Sequence, residues 1–177
     1  MDDRSLVEAL LSGDPDAPSQ FVGLFQQVVF GLCLRMLNHR QDAEDVAQET
    51  FVRALRSIHR VDPERPVRPW LLGIAANRCR TALGRRKQPV GNPLAIETYA
   101  DPRPPLSDPD DLASELQGAL QKLRPEYRMV FVMYHDEGLP YEEISAAIDR
   151  PIGTVKTWLH RARGEMAEHL ARRGVSC

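Results

Sequence analysis

Apolar residues recur along the first half of the chain at the spacing of amphipathic helices. A first helix is predicted over residues 21–36, where apolar side chains return every three to four positions. The pattern restarts after Asp42, which stands where an N-cap would, and continues to Ile58. A third helix begins near Trp70. Residues 59–69 are predicted to be a loop, because the prolines there disfavour helix in the residues ahead of them.

The second half of the chain shows four shorter helical patterns. The first covers residues 116–123 and is interrupted by Pro125, and the second resumes over 127–134. Two more patterns cover 141–148 and 154–170, joined by a short turn that contains a proline and a glycine. Alternating β-branched runs are absent from the sequence. The sequence therefore predicts an all-α fold.

Composition changes between the two sets of helices. Residues 89–111 hold six prolines and several acidic residues without a periodic apolar face, which is typical of a linker. We therefore divide the chain into an N-terminal unit (1–88), a linker (89–112) and a C-terminal unit (113–177). The formal net charge of −2 conceals an uneven distribution, because residues 53–87 alone carry +8. Such a basic stretch favours contact with a polyanion.

The last two helical patterns predict a helix-turn-helix, whose second helix would enter the major groove of DNA. Val155 and Leu159 face inward there, which leaves outward residues that can donate to phosphates and base edges. Trp158 is interpreted as flanking the core. An ordinary helical hairpin with a basic solvent face is the alternative. The outward candidates are Thr154, Lys156, Thr157, His160, Arg161 and Arg163.

The N-terminal unit combines an acidic helix face with a dense series of arginines. An acidic face suits a basic protein partner, and a basic face suits nucleic acid. The first set comprises Asp42, Glu44, Asp45, Gln48 and Glu49, with Arg53 and Arg56 beside it. The second set comprises Arg60, Arg65, Arg68, Arg78, Arg80, Arg85, Arg86 and Lys87.

The sequence offers no signal for catalysis or for a bound cofactor. The three cysteines are far apart and not in C-x-x-C spacing, so neither a disulfide framework nor a zinc site is predicted. We find no metal-ligand cluster, phosphate-binding glycine loop or nucleophile motif. Acidic residues precede any apolar stretch at the N-terminus, unlike a signal peptide, and no apolar run approaches ~20 residues. We expect a cytoplasmic protein without membrane insertion.

Two pairs of motifs make a family resemblance specific. Residues 42–52 (DAEDVAQETFV) and 70–77 (WLLGIAAN), followed by the basic residues 85–87, resemble the second region of extracytoplasmic-function sigma factors. Residues 138–145 (GLPYEEIS) and 153–163 (GTVKTWLHRAR) resemble the fourth region of the same family. The order of the motifs, their spacing and the proline-rich linker also fit.

This resemblance implies a subunit that directs bacterial RNA polymerase to promoters. The acidic set and its two arginines would bind the clamp helices of the largest subunit of core polymerase. The flap would be a second contact with core polymerase. The second set, together with Asn77, would capture the minus-ten strand with one base extruded into a pocket. The helix from Thr154 to Arg163 would read the minus-thirty-five duplex. An anti-sigma factor is a further expected partner.

Three positions depart from the family pattern. Thr81 stands where aspartate is frequent, Asp149 at a frequent turn glycine, and Pro140 at a common N-cap serine. Aspartate tolerates left-handed backbone and proline suits a first helical turn, so the turn is predicted to form.

Two alternative functions remain open. A one-component or response-regulator transcription factor would need a sensing domain, for which residues 1–88 show no βαβ pattern. A helical enzyme acting on nucleic acid would need one of the missing motifs.

Overall fold

The computed structural model describes residues 3–86 and 109–173, and all regular structure within them is helical, as predicted. Most of the predicted linker lies outside the described residues, so the limits of the two units stay predictions. The first group of helices comprises α1 (Asp3–Ser12), α2 (Ala17–Leu37), α3 (Arg40–Ser57), a 3₁₀ turn (Ile58–Arg60) and α4 (Val67–Arg86). The second comprises α5 (Pro109–Lys122), α6 (Pro125–His135), α7 (Tyr141–Ile148) and α8 (Ile152–Arg172).

Several helix limits differ from the sequence prediction. The short helix α1 was not predicted. The cap of α3 is His39, whose Nδ1 accepts a hydrogen bond from the Asp42 amide at 3.3 Å, so Asp42 lies in the first turn instead. Helix α4 begins at Val67, three residues before Trp70, because Pro69 sits in the first turn, where a missing amide costs nothing. The predicted loop over 59–69 is therefore helical at both ends.

Helix α2 is the centre of the N-terminal unit and packs against α1, α3 and α4. Its Phe21 and Phe25 rings lie 5.1 Å apart, and Phe51 of α3 meets Phe21 edge-on at 6.1 Å. Leu32 of α2 and Leu71 of α4 are fully buried. These apolar contacts hold α3 and α4 side by side on α2.

Helix α2 is also the one helix in the described part of the chain that is long and apolar enough to cross a membrane. The sequence expectation that no apolar run approaches that length is corrected on this point. Its buried side chains, including Val29 and Met36, pack into the protein core, and Arg35 forms an ion pair with Asp136 at 2.7 Å. This packing is that of the core helix of a globular protein.

The C-terminal unit is built around α8, with α5, α6 and α7 packed against it. Asp149 adopts a left-handed conformation (φ 52°) that ends α7, so the predicted turn forms without a glycine at its left-handed position. Val155 and Leu159 of α8 are buried, and Trp158 lies partly buried against the core, as interpreted from the sequence. Helices α7 and α8 therefore form the predicted helix-turn-helix.

The two groups of helices pack directly on each other, with α4 on α7 and α2 on α6. The two groups approach closely at Gly73 of α4, where a Cβ atom would lie 2.2 Å from the carbonyl oxygen of Ala147. Arg68 of α4 forms an ion pair with Glu137 at 2.6 Å. Burial raises the pKa of Glu137 above its usual value even with Arg68 beside it. We call this the closed arrangement.

Candidate nucleic-acid interfaces

The candidate residues of α8 lie on its surface. The side chains of Lys156, Thr157, His160, Arg161 and Arg163 are exposed, and Thr154 is half-buried. The helix turns by about 100° per residue, so the buried apolar positions take one side and this set takes the rest. The spacing of apolar residues was therefore sufficient to identify the outward face.

Three cations of this set are each held by a tyrosine. The Lys156 Nζ lies 5.6 Å from the ring centroid of Tyr141, and the Arg163 guanidinium lies 5.1 Å from that of Tyr134. These distances are those of cation–π contacts. Arg161 Nη1 donates a hydrogen bond to the hydroxyl of Tyr127 at 3.0 Å. The three tyrosines are Tyr127, Tyr134 and Tyr141.

The sequence analysis did not single out these tyrosines and so missed their contacts with the cations. Tyr134 and Tyr141 stack with their centroids 5.1 Å apart and an angle of 17° between the planes. Arg163 also donates from Nε to Nε2 of His135 at 3.1 Å, and burial, followed by the charge of Arg163, lowers the pKa of His135. The imidazole is thus kept neutral and able to accept. The regular spacing of seven residues between the three tyrosines was the feature of the sequence that could have drawn attention to them.

The fold leaves some residues of the N-terminal basic set exposed and pairs others with acidic side chains. Arg60, Arg65 and Arg85 are exposed, and Asn77 and Arg80 are half-buried on α4. Arg65 pairs with Asp62 at 3.5 Å, and the remaining members pair with acids of other segments or lie outside the described residues. Arg68 contacts Glu137, Arg78 and Arg86 contact acids of α3, and Lys87 is not described.

The acidic set of α3 likewise contains both exposed residues and residues that pair with arginines. Asp45 and Gln48 are exposed, whereas Asp42 pairs with Arg86 and Glu49 with Arg78. Glu44 pairs with Arg40 of its own helix. Arg53 pairs with Glu49, and Arg56 is exposed. Two acids of α3 thus neutralise two arginines of α4 along the seam between these helices.

Loss of the Glu49–Arg78 pair is expected to destabilise the fold in a pH-dependent way. The Arg78 side chain is 15% exposed and donates to Glu49 at 2.5 Å, which lowers the pKa of Glu49 below 4.5. The pair therefore stabilises the fold above that pH, and its contribution is lost as pH falls through the lowered pKa. Because Glu49 is 40% exposed, solvent screening limits the effect of Glu49→Gln to about 1 kcal/mol at pH 7.

Urea denaturation at pH 7 and near pH 3 measures this effect. The difference in unfolding free energy between wild type and Glu49→Gln should shrink at the lower pH. Glu44→Gln is the matched control, because Glu44 pairs with Arg40 of its own helix. An equal difference at both pH values would refute the pair's contribution.

An open groove of about 350 Å³ lies between α2 and α3. Its floor is apolar and its rim carries polar side chains from both helices. The exposed Gln48 stands on this rim, close in sequence to Asp45. An apolar floor with a polar rim is the composition of a protein docking surface. The lining residues include Val22, Gln26, Phe30, Glu44, Gln48 and Phe51.

A second cleft, of about 430 Å³, lies between the two groups of helices. Arg60, Arg65 and Trp70 line one side, and Glu142 and Glu143 of α7 line the other. The acidic wall faces the arginines in the closed arrangement. A nucleic-acid strand would meet like charge from α7 in this cleft.

Cys33 and Cys79 are both free and fully buried in the N-terminal core. The hydrogen bond with Cys33, reinforced by burial, raises the pKa of Cys79 above its usual value. Cys79 is therefore a protonated thiol inside the core, turned away from the exposed side of α4. Among the described residues, no three His, Cys, Asp or Glu side chains are placed to hold a metal ion.

Comparison with known proteins identifies relatives of both groups of helices. The family model of Sigma-70 region 2 matches residues 21–88, and that of Sigma-70 region 4 matches residues 113–166. The ECF RNA polymerase sigma factor SigW of Bacillus subtilis is 31% identical over 180 residues, covering 94% of this chain and 96% of that protein. The ECF RNA polymerase sigma-E factor of Haemophilus influenzae is 36% identical over 181 residues, covering 94% of each.

Two solved structures share the fold. CnrH, in complex with the cytosolic domain of CnrY, superposes with a TM-score of 0.72 at 25% identity, covering 96% of this chain and 97% of that chain. The sigma factor RpoE of Bartonella quintana, in complex with the anti-sigma factor NepR, superposes with a TM-score of 0.70 at 21% identity. That comparison covers 86% of this chain and 96% of the other.

Proposed function

Since the chain belongs to the sigma-70 family as an extracytoplasmic-function sigma factor, we propose that α3 binds core RNA polymerase while α4 and α8 bind two promoter elements. A sigma factor initiates transcription at selected promoters and is not an enzyme. The observation that carries the proposal is the match of one region to each group of helices, each with its own basic surface. Catalysis belongs to the polymerase.

The proposed polymerase-binding surface is the exposed side of α3 with the adjoining α2–α3 groove. Asp45 and Gln48 are exposed polar side chains on this surface. Asp42 and Glu49 support the surface indirectly, because their pairs with Arg86 and Arg78 fix α3 against α4. The clamp helices of the largest subunit are the proposed partner on this side, and the flap is the proposed partner of the C-terminal unit.

The proposed minus-ten surface comprises the segment before α4 and the exposed side of that helix. Arg60 and Arg65 are exposed near Trp70, whose ring is available for stacking on an extruded base. Arg80 and Arg85 extend the same basic surface along α4 and would hold the strand's backbone. We assign Arg78 a structural role, since it is largely buried against Glu49.

The closed arrangement would have to open before promoter binding. The minus-ten and minus-thirty-five elements are roughly 25 base pairs apart, about 85 Å at 3.4 Å per base pair. Units in direct contact through Gly73 and Ala147 cannot reach both elements. Opening would also release Arg68 from Glu137 and remove the acidic wall of α7 from the arginine-lined cleft.

An anti-sigma factor is the proposed regulator. The similar structures of CnrH and RpoE are complexes with CnrY and with the anti-sigma factor NepR, respectively. By analogy, a partner of this kind would hold the chain in the closed arrangement until released. The proposed location is the cytoplasm, at the nucleoid with RNA polymerase.

Run-off transcription with purified core polymerase on a genomic promoter library tests the proposal. Wild-type protein should give new specific start sites, and Asp45→Ala combined with Gln48→Ala should reduce these transcripts by at least tenfold. Both side chains are exposed and lie away from the α3–α4 seam, so the variant is expected to fold. Thermal unfolding of each protein verifies this.

The matched control removes the exposed pair Glu168 and Arg172 of α8, also by alanine substitution. Its transcripts should equal those of wild type. Binding of duplex DNA without polymerase, with no new transcripts, would instead support a helix-turn-helix regulator and overturn the proposal.

A further inference from the structure

The exposed side of α8 carries Lys156, Arg161 and Arg163 at its two edges, with other residue types between them. At about 100° per residue, Lys156 and Arg163 lie within about 20° of each other on one edge. Arg161 lies about 140° around the helix from Lys156, on the opposite edge. Thr157 and His160 lie between the two edges.

Each edge is held by contacts from outside the helix. Tyr141 and Tyr134, stacked on each other, hold Lys156 and Arg163 on one side. The hydroxyl of Tyr127 holds Arg161 on the other. A cation held in this way has lost part of its side-chain freedom before binding, so less entropy is lost when it meets a phosphate.

The centre is suited to contact with base edges. Thr157 donates its hydroxyl hydrogen back to the Gly153 carbonyl at 2.8 Å, which leaves an oxygen acceptor and a methyl group for an outside partner. His160 offers a ring nitrogen donor. The major groove is about 12 Å wide, so a helix seated in it brings its centre to the bases and its edges towards the two phosphate backbones.

We propose that the three tyrosine-held cations grip phosphates on the two sides of the groove, while Thr157 and His160 read base edges between them. Tyr127, Tyr134 and Tyr141 are then positioning residues for duplex recognition. This inference rests on the proposed binding of α8 to the minus-thirty-five element. It separates residues that supply affinity from residues that supply sequence preference, a division that the sequence pattern left open.

Substitution by phenylalanine should have different effects on DNA affinity at the three tyrosines. Tyr134→Phe and Tyr141→Phe keep the ring face that holds each cation, so affinity should be unchanged. Tyr134→Leu and Tyr141→Leu should each weaken binding about two- to fivefold, the size of an exposed cation–π contact. Tyr127→Phe removes the hydroxyl that holds Arg161 and should weaken binding about threefold although the ring remains.

Equilibrium binding of reconstituted holoenzyme to labelled promoter fragments measures these effects. One fragment carries the intact minus-thirty-five element and the other a scrambled element, each titrated at several salt concentrations. Lys156→Ala should weaken binding to both fragments equally and lower the salt slope by about one. His160→Ala and Thr157→Ala should instead reduce the discrimination between the fragments about fivefold or more while leaving the salt slope unchanged.

The outcomes separate this inference from the proposed function. If wild-type holoenzyme does not distinguish the two fragments, the assignment of α8 to the minus-thirty-five element fails. If wild type distinguishes them but phenylalanine and leucine act alike at Tyr134 and Tyr141, the positioning role is overturned. Loss of discrimination in Lys156→Ala, with none in His160→Ala and Thr157→Ala, overturns the proposed division. Thermal unfolding of each variant identifies any that fail to fold.

Discussion

Replacing Gly73 with alanine is expected to separate the two groups of helices while leaving each group folded. The new Cβ would lie 2.2 Å from the oxygen and 2.8 Å from the carbon of the Ala147 carbonyl. Both are backbone atoms of α7, so relief requires movement of the whole helix. Within α4 itself, alanine favours helix over glycine by about 1 kcal/mol, so the N-terminal unit is not weakened.

Small-angle X-ray scattering and a distance between fluorescent labels on α2 and α6 measure the separation. We expect a larger radius of gyration in Gly73→Ala and several-fold faster assembly with core polymerase, because the closed arrangement no longer has to be broken. Gly84→Ala is the matched control in the same helix, since apart from the neighbouring backbone of α4 no described atom lies within 4 Å of its Cβ position. A Gly73→Ala protein with the dimensions and assembly rate of wild type would contradict the proposed opening step.

Replacing Arg128 with methionine is expected to lower the free energy of unfolding by about 1–3 kcal/mol for each buried carbonyl that loses its donor. Arg128 is 5% exposed and donates to the Met36 carbonyl at 2.5 Å. It also donates to the side chain and carbonyl of Gln121 and to the Leu123 carbonyl. Burial lowers the pKa of Arg128 to about 10, so the guanidinium stays charged at neutral pH. Methionine fills similar volume but leaves buried carbonyls without a donor.

Urea denaturation monitored by circular dichroism measures this loss. Arg150→Met is the matched control, because Arg150 is exposed and its described hydrogen bond goes to the adjacent Asp149 carbonyl. A surface change of that kind should stay within about 0.5 kcal/mol of wild type. If Arg128→Met were as stable as wild type, the carbonyls would have found water or other donors, and the buried guanidinium would not be needed for the fold.

Local pattern was enough to predict most helices and the exposed face of α8. The limits of α7 follow directly from its sequence, because one turn residue that tolerates left-handed backbone, Asp149, ends it. The outward residues of α8 followed from the spacing of Val155 and Leu159. The start of α3 was wrong by three residues, because His39 can cap through its ring nitrogen, an uncommon cap that a pattern favouring Asp42 overlooks.

The sequence by itself determined the helical class, the helix-turn-helix and the family, since each depends on residue type and spacing along one segment. Only the tertiary structure decided which charges remain available, because that depends on partners far apart in the chain. Arg68 meets Glu137, Arg78 meets Glu49, and both arginines had been assigned to nucleic acid from their charge alone. The contact of Gly73 with Ala147 is equally invisible in the sequence, since a glycine inside a helical pattern does not reveal what lies against it.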